Sequence, residues 1–187
     1  MKRALIILLV LLTIPAGVFA DKAYFSSSVG LVMPVKSYAM DVTANSITES
    51  SGLYDYKPAF TGDVAIGYEF NRYIGLGASM RVNYLPEGDA YRVIVPLYFD
   101  IKTGFGWGNI NFPITISIGG HMETDSHSYS FGPSGALSVG AEISCNENVA
   151  IFFKTVGEVH ISMDTDLKGF DLDVLVSPVS AGITTRW

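Results

Sequence analysis

From Phe60 to Tyr84 the side chains change character at almost every residue, and that alternation constrains the fold more than any other feature of the chain. Phe60, Val64, Ile66, Tyr68 and Phe70 fall on one face, and Thr61, Asp63, Ala65, Gly67 and Glu69 on the other. A period of two is the repeat of an extended backbone and places no stripe on a helix. Asn71, Arg72 and Tyr73 turn the chain. The pattern then resumes with Ile74, Leu76, Ala78, Met80, Val82 and Tyr84 opposite Gly75, Gly77, Ser79, Arg81 and Asn83, which predicts a β-hairpin. With Phe70 set against Ile74, counting outward brings Asp63 across from Arg81, and an interior ion pair is expected there.

The same period recurs over residues 23–33, 91–102, 110–121, 135–143, 149–161 and 174–187, giving eight strands and an all-β chain. In the last segment Leu175, Val179, Ala181, Ile183 and Trp187 share the apolar face, against Ser180, Gly182, Thr184 and Arg186. Each segment is close to the ~9–11 residues that a tilted strand needs to cross a bilayer. Connections around residues 71–72, 103–109 and 145–148 are short, those at 34–56, 122–132 and 162–173 are long, and 85–90 is intermediate. Short and long alternate, as expected for an eight-stranded antiparallel up-and-down barrel. Pro96, Pro113 and Pro178 fall inside strands, where each removes a ladder donor. A turn at 103–109 would set Pro96 nearly opposite Pro113 and make that seam a weak point.

Residues 1–20 carry the marks of a cleavable signal peptide: Lys2 and Arg3, an apolar stretch from Ala4 to Val18, and the small residues of Val18-Phe19-Ala20. The apolar run is too short for a spanning helix and Pro15 interrupts it. Beyond Ala20 no apolar run approaches ~18 residues, so a membrane would have to be crossed by strands. Residues 21–187 suit one barrel domain, without linker or repeat. The single Cys145 has no partner within the chain and reads as a turn residue.

Alternation alone does not say which face points inward. Three features put the apolar face outside, against lipid. Aromatic residues collect near strand ends, with Phe70, Phe99, Trp107, Phe112 and Trp187 toward one side and Phe60, Tyr84 and Tyr91 toward the other. The polar face is rich in Gly, Ser, Thr and Ala, which suits the narrow interior of an eight-stranded barrel. The charged residues Asp63, Glu69, Arg81, Arg92, Asp100, Lys102, Glu142, Lys154, Glu158 and Arg186 all share that polar face. Arg or Lys facing lipid at the midplane costs about 2–4 kcal/mol, so the segregation has a physical cause, and these ten residues are expected to form a network inside the barrel.

The chain has 12 basic against 18 acidic residues, and the signal removes Lys2 and Arg3. The longer connections hold Asp41, Glu49, Asp55, Glu87, Asp89, Glu123, Asp125, Asp164, Asp166, Asp171 and Asp173 against Lys36 and Lys168. Such an acidic rim repels nucleic acid and anionic surfaces, and suits loose binding of divalent cations, a basic extracellular partner or simple solvation of the loops. Ser162-Met163-Asp164-Thr165-Asp166 lacks the glycine and closing glutamate of a calcium loop, so no metal site is assigned. No phosphate-binding glycine loop or paired-cysteine motif occurs, and no cofactor is expected. His121 ends a strand on the polar face and His127 sits in an acidic loop; neither is assigned a role.

The run from Gly62 to Leu76, Gly-Asp-Val-Ala-Ile-Gly-Tyr-Glu-Phe-Asn-Arg-Tyr-Ile-Gly-Leu, resembles the strand-turn-strand signature of small OmpA-type and OmpW-type outer-membrane β-barrel proteins. The resemblance implies a transmembrane barrel in a bacterial outer membrane, surrounded by outer-membrane lipid. It also implies that the final strand is read by the barrel-insertion machinery. Trp187 matches the terminal aromatic of that signal, whereas Thr185 departs from its apolar third-from-last position. No peptidoglycan-binding domain follows the barrel, so that role does not carry over.

The expectation is therefore a non-enzymatic outer-membrane protein with a structural or surface-interaction role, or a narrow passage for small or hydrophobic solutes. A passage for apolar ligands would need apolar residues inside the barrel near its outer end, and Ile94, Val156 and Val174 are the candidates. An enzymatic rival is a lipid deacylase built on His160 and Ser162, with Glu158 or Asp164 orienting the imidazole. The strand register turns His160 inward beside Glu158, away from lipid, which counts against it. A soluble exported barrel binding an apolar ligand is a second rival, and it leaves the charge segregation and Trp187 unexplained.

Overall fold

The computed structural model describes residues 22–41, 46–51, 59–71, 73–87, 90–124, 129–163 and 169–187. The predicted signal peptide, His127 and Asp164 lie outside these residues. The described chain is entirely β: β1 (Lys22–Asp41), β2 (Ser46–Ser51), β3 (Ala59–Asn71), β4 (Ile74–Glu87), β5 (Ala90–Trp107), β6 (Ile110–Thr124), β7 (Tyr129–Ser144), β8 (Val149–Met163) and β9 (Gly169–Arg186). Strands β1 and β3 to β9 follow one another as antiparallel neighbours, and β9 returns to pair with β1. The result is a closed eight-stranded barrel, with no unpaired edge along its wall. Reciprocal bonds between the backbones of Ala23 and Trp187, both 3.1 Å, fasten the closing seam at its end.

Side chains are sorted inside out. Val29 is 73% exposed, Ile118 66% and Leu97 59%, whereas Glu158 is 1% exposed and Arg81 7%. An outer surface of this kind is solvated by lipid, and the wall's backbone groups are satisfied strand to strand.

The structure extends the predicted strands and corrects several of them. Residues 103–107 continue β5, because Gly104, Phe105, Gly106 and Trp107 keep the two-residue alternation; only Gly108 and Asn109 remain as the turn. Gly108 takes φ 54°, a left-handed value that glycine adopts without a Cβ penalty. The tighter turn moves the register: Pro96 faces His121 and Pro113 faces Gly104, so the two prolines are not opposed. Phe99 consequently lies mid-strand, paired between Ala78 and Ile118, and does not belong to an end girdle. In the first hairpin Asn71, and not Phe70, faces Ile74 across an irregularity; beyond it Asp63 faces Arg81.

At the other end β1 continues past Pro34 to Asp41 and pairs with β2, a short ninth strand that the eight-strand count lacks. The largest correction concerns β9. Its pairing with β8 shifts by one residue between Lys154 and Val156, and its pairing with β1 shifts between Gly30 and Met33. Both shifts lie around Pro178, which supplies no N–H to either ladder. The extra residue reverses the faces of the strand beyond it, so Leu175 points into the barrel and is 1% exposed, while Val179, Ile183 and Trp187 face outward.

Candidate functional site

Among the described residues the polar interior gathers the chemically active groups, and it is layered. At the end carrying the short turns, Glu69 of β3, Lys102 of β5, Glu142 of β7 and Arg186 of β9 project inward from every second strand. Lys102 Nζ lies 2.6 Å from Glu69 and 3.7 Å from Glu142; Arg186 lies 2.6 Å from Glu69 and 2.5 Å from Glu142. Two cations and two carboxylates thus close a ring across the bore. Beneath it a vestibule of about 670 Å³ opens between the turns, lined by Lys22, Asn71, Asn109, Asn146, Glu147 and Arg186.

One layer further in, the Tyr24 ring lies over Gly67 and Gly77, with Lys102 Nζ 5.4 Å from its centroid. Small residues make room for it: a Cβ on Gly67 would meet the Tyr24 ring at 2.7 Å. A cavity of about 90 Å³ follows, lined by Tyr24, Asp63, Asp100, Lys102, Glu142 and Lys154 among others. Its polar lining and size suit water.

The middle network is centred on Arg81, which bonds Asp63 at 3.2 Å and also Glu158. Lys154 holds the same Asp63 oxygen at 2.7 Å, Asn83 donates to Glu158 at 2.6 Å, and Ser117 donates to Asp100 at 2.6 Å. Glu158 is the partner that sequence reasoning missed. It is 77 residues from Arg81, on a strand that is not adjacent, and only closure of the barrel brings the two together.

Toward the long loops Arg92 sits between Glu123 and Asp173, and Ser37 donates to Asp173 at 2.6 Å. Glu123 and Asp173 were expected in the acidic loops; both turn inward here, Glu123 because β6 runs on to Thr124 and Asp173 because β9 begins at Gly169. Asp55, Asp89, Asp125, Asp164 and Asp166 of the predicted rim lie outside the described residues. Beside Arg92 lies an apolar cluster of Val32, Ala59, Leu85, Ile94 and Leu175, of which Leu85 is Arg92's cross-strand partner and Ile94 its inward neighbour on β5. Ile94 and Val156 are buried as anticipated, but the bulge at Pro178 puts Leu175 in the place expected of Val174.

His160 and Ser162 do not bond each other. His160 Nε2 lies 3.2 Å from Glu158, and Ser162 Oγ lies 3.0 Å from His121 Nε2 while donating to Glu123 at 2.8 Å. The two imidazoles meet edge to face with centroids 4.9 Å apart. Trp187, at the opposite end, is 68% exposed on the outer surface. Cys145 lies exposed in the turn between β7 and β8.

No protein-family model matches the sequence, and no curated protein does. Solved structures do. Neisserial surface protein A superposes with a TM-score of 0.59 at 8% identity, over 88% of this chain and 97% of that one. The fold is that of the small outer-membrane β-barrels. Outer membrane protein OprG from Pseudomonas aeruginosa gives 0.52 at 12% identity over 90% and 97%. The outer membrane protease OmpT from Escherichia coli gives 0.50 at 8% identity over 90% and 97%. Identities this low speak for the fold alone, and the fold serves proteins of different function.

Proposed function

We propose that this is a non-enzymatic, integral outer-membrane barrel whose bore is closed to solutes, and which acts through its structure and its exposed loops. The observation that carries this reading is the filled interior. Three ionic layers and an apolar cluster cross the bore, and an eight-stranded barrel has room for little more than its own side chains. An inward polar face and an outward apolar one call for a lipid surround. The fold shared with proteins of bacterial outer membranes agrees with that location. In this reading residues 1–20 are removed on export, Trp187 contributes to recognition by the insertion machinery, and the acidic loops meet a basic partner outside.

Because one similar fold belongs to a protease, architecture by itself does not argue against catalysis. The arrangement of Ser162 does. Its hydroxyl donates to Glu123 and does not bond His160, and Ser162 is 5% exposed inside the wall, away from any lipid ester. The apolar cluster is packed at 0–3% exposure and serves as core, which argues against an apolar passage.

The test is conductance of the folded protein across planar bilayers in KCl. Insertion is checked by the heat-dependent shift in electrophoretic mobility of the folded barrel. An inserted protein with no resolved current is expected; steady channel steps would replace this reading with the narrow passage.

A further inference from the structure

Five cations, Arg81, Arg92, Lys102, Lys154 and Arg186, and seven carboxylates, Asp63, Glu69, Asp100, Glu123, Glu142, Glu158 and Asp173, lie inside the wall between the two mouths, among the described residues. The carboxylates exceed the cations by two. The turn-end ring is balanced within itself, so the excess resides in the middle and loop-end networks. Buried charge without compensation is costly, and protons are the counter-ion small enough to enter a packed bore. The two histidines of the interior, His121 and His160, stand where those two networks meet.

Their hydrogen bonds have a direction. Ser162 has one hydroxyl proton and donates it to Glu123. It therefore accepts from His121, which fixes the neutral His121 as the Nε2–H tautomer and leaves Nδ1 a bare acceptor. That Nδ1 is buried and has no partner, and so is Nδ1 of His160, while Nε2 of His160 faces Glu158. Two buried imidazole nitrogens left open, on rings 4.9 Å apart, make a junction between two hydrogen-bonded chains.

We propose that the barrel passes protons while excluding hydrated ions, through a relay of Glu158, His160, His121, Ser162 and Glu123. This rests on the closed-bore reading above. A proton on the Glu158 carboxyl moves to His160 Nε2. The His160 Nδ1–H proton moves to His121 Nδ1, directly or across one water. His121 Nε2–H is released to Ser162 Oγ as Ser162 delivers its own proton to Glu123, from which water at the loop end removes it. One proton leaves Glu158 and one arrives at Glu123; each histidine is left in the opposite tautomer, and a turn of the two imidazoles, which exchanges the positions of the N–H and the bare nitrogen, readies the relay for the next proton, so no group is consumed. Arg81, Asn83 and Arg92 flank the chain, and Asp173 shares Arg92 with Glu123. Supply from the turn end passes through the polar cavity, which reaches Val156, the inward neighbour of Glu158 on β8. Glu142 lines both that cavity and the vestibule below.

The experiment uses the full barrel in vesicles containing a pH-sensitive dye, with valinomycin and potassium to hold the membrane potential at zero, after a step to acid outside. Wild type is expected to acidify the lumen faster than protein-free vesicles while showing no KCl conductance. His121→Asn and His160→Asn, which keep a polar amide that neither takes up nor releases a proton, are expected to return the rate to that of protein-free vesicles with the heat-dependent mobility shift intact. His160→Gln serves if the asparagine variant does not assemble. An inserted, ion-tight wild type that acidifies no faster than empty vesicles overturns the relay, as do assembled histidine variants that match wild type. KCl conductance by wild type overturns the closed bore itself, a separate result.

Discussion

The two ends of the bore are closed by different means. At the turn end, Glu69, Lys102, Glu142 and Arg186 come from every second strand, and each cation reaches both carboxylates. Removing one member leaves the others with a partner. Toward the loops, Arg92 is the cation that serves Glu123 and Asp173 among the described residues, and His121, His160, Ser162 and an apolar cluster fill the rest of the cross-section. The contrast separates a redundant electrostatic lock from a charge-short region in which two carboxylates share one cation. The middle network resembles the second case, since Arg81 is the cation that Glu158 contacts.

That contrast orders the expected effects of mutation. The largest belongs to Arg81→Met, which strands Glu158 in a fully buried position; urea unfolding in lipid is expected to show a loss of about 3–5 kcal/mol, the range for breaking a buried pair. Removing Glu158 as well, in Arg81→Met with Glu158→Met, is expected to restore most of it. An Arg81→Met barrel as stable as wild type would remove the middle network from the account. Next comes Leu175→Ala, at about 2–5 kcal/mol, because the side chain is 1% exposed within the apolar cluster. Were Leu175 on the lipid face, truncation would cost much less, so this variant also checks the reversal of faces at Pro178.

The direct comparison of the two ends pairs Arg92→Met with Lys102→Met. The first leaves two carboxylates without a cation and is expected to cost about 3 kcal/mol; the second leaves Arg186 in contact with both and is expected to cost about 1 kcal/mol. Equal losses would erase the distinction. The smallest effect is that of Gly108→Ala, about 1 kcal/mol from forcing a Cβ into a left-handed turn, and it is expected to leave both ionic ends unchanged.

Much of the architecture was legible because strand periodicity is local. The hairpin from Ala59 to Glu87 could be read from alternation, and its short turn placed Asp63 opposite Arg81 by counting, even though the pairing beside the turn is irregular. What the residues did not disclose are relations created by closure or by bulges. Glu158 meets Arg81 across the bore, where no spacing in sequence encodes the contact. Pro178 was visible as an anomaly in a strand, but not the direction in which the backbone would absorb it, so Leu175 was placed on the wrong face. Residues 103–107 read as a connection from sequence, but Gly104 and Gly106 pair with Pro113 and Asn111 of β6 and belong to the strand. The bond from Ser162 to His121, in place of one to His160, likewise depends on β6 and β8 facing the same interior.

The central claim is that the apolar face meets lipid and the charged face lines the bore. The most direct test uses nitroxide labels on single cysteines in a Cys145→Ser background, in bilayers, with oxygen and a water-soluble nickel complex as competing relaxation agents. Labels at Leu97 and Leu137, which are 59% and 53% exposed on the outer wall, are expected to collide with oxygen and to be shielded from nickel, while a label at Ser138 on the inner face is shielded from lipid-borne oxygen. Nickel access at Leu97 and Leu137 with the barrel folded would place those faces in water and contradict the account.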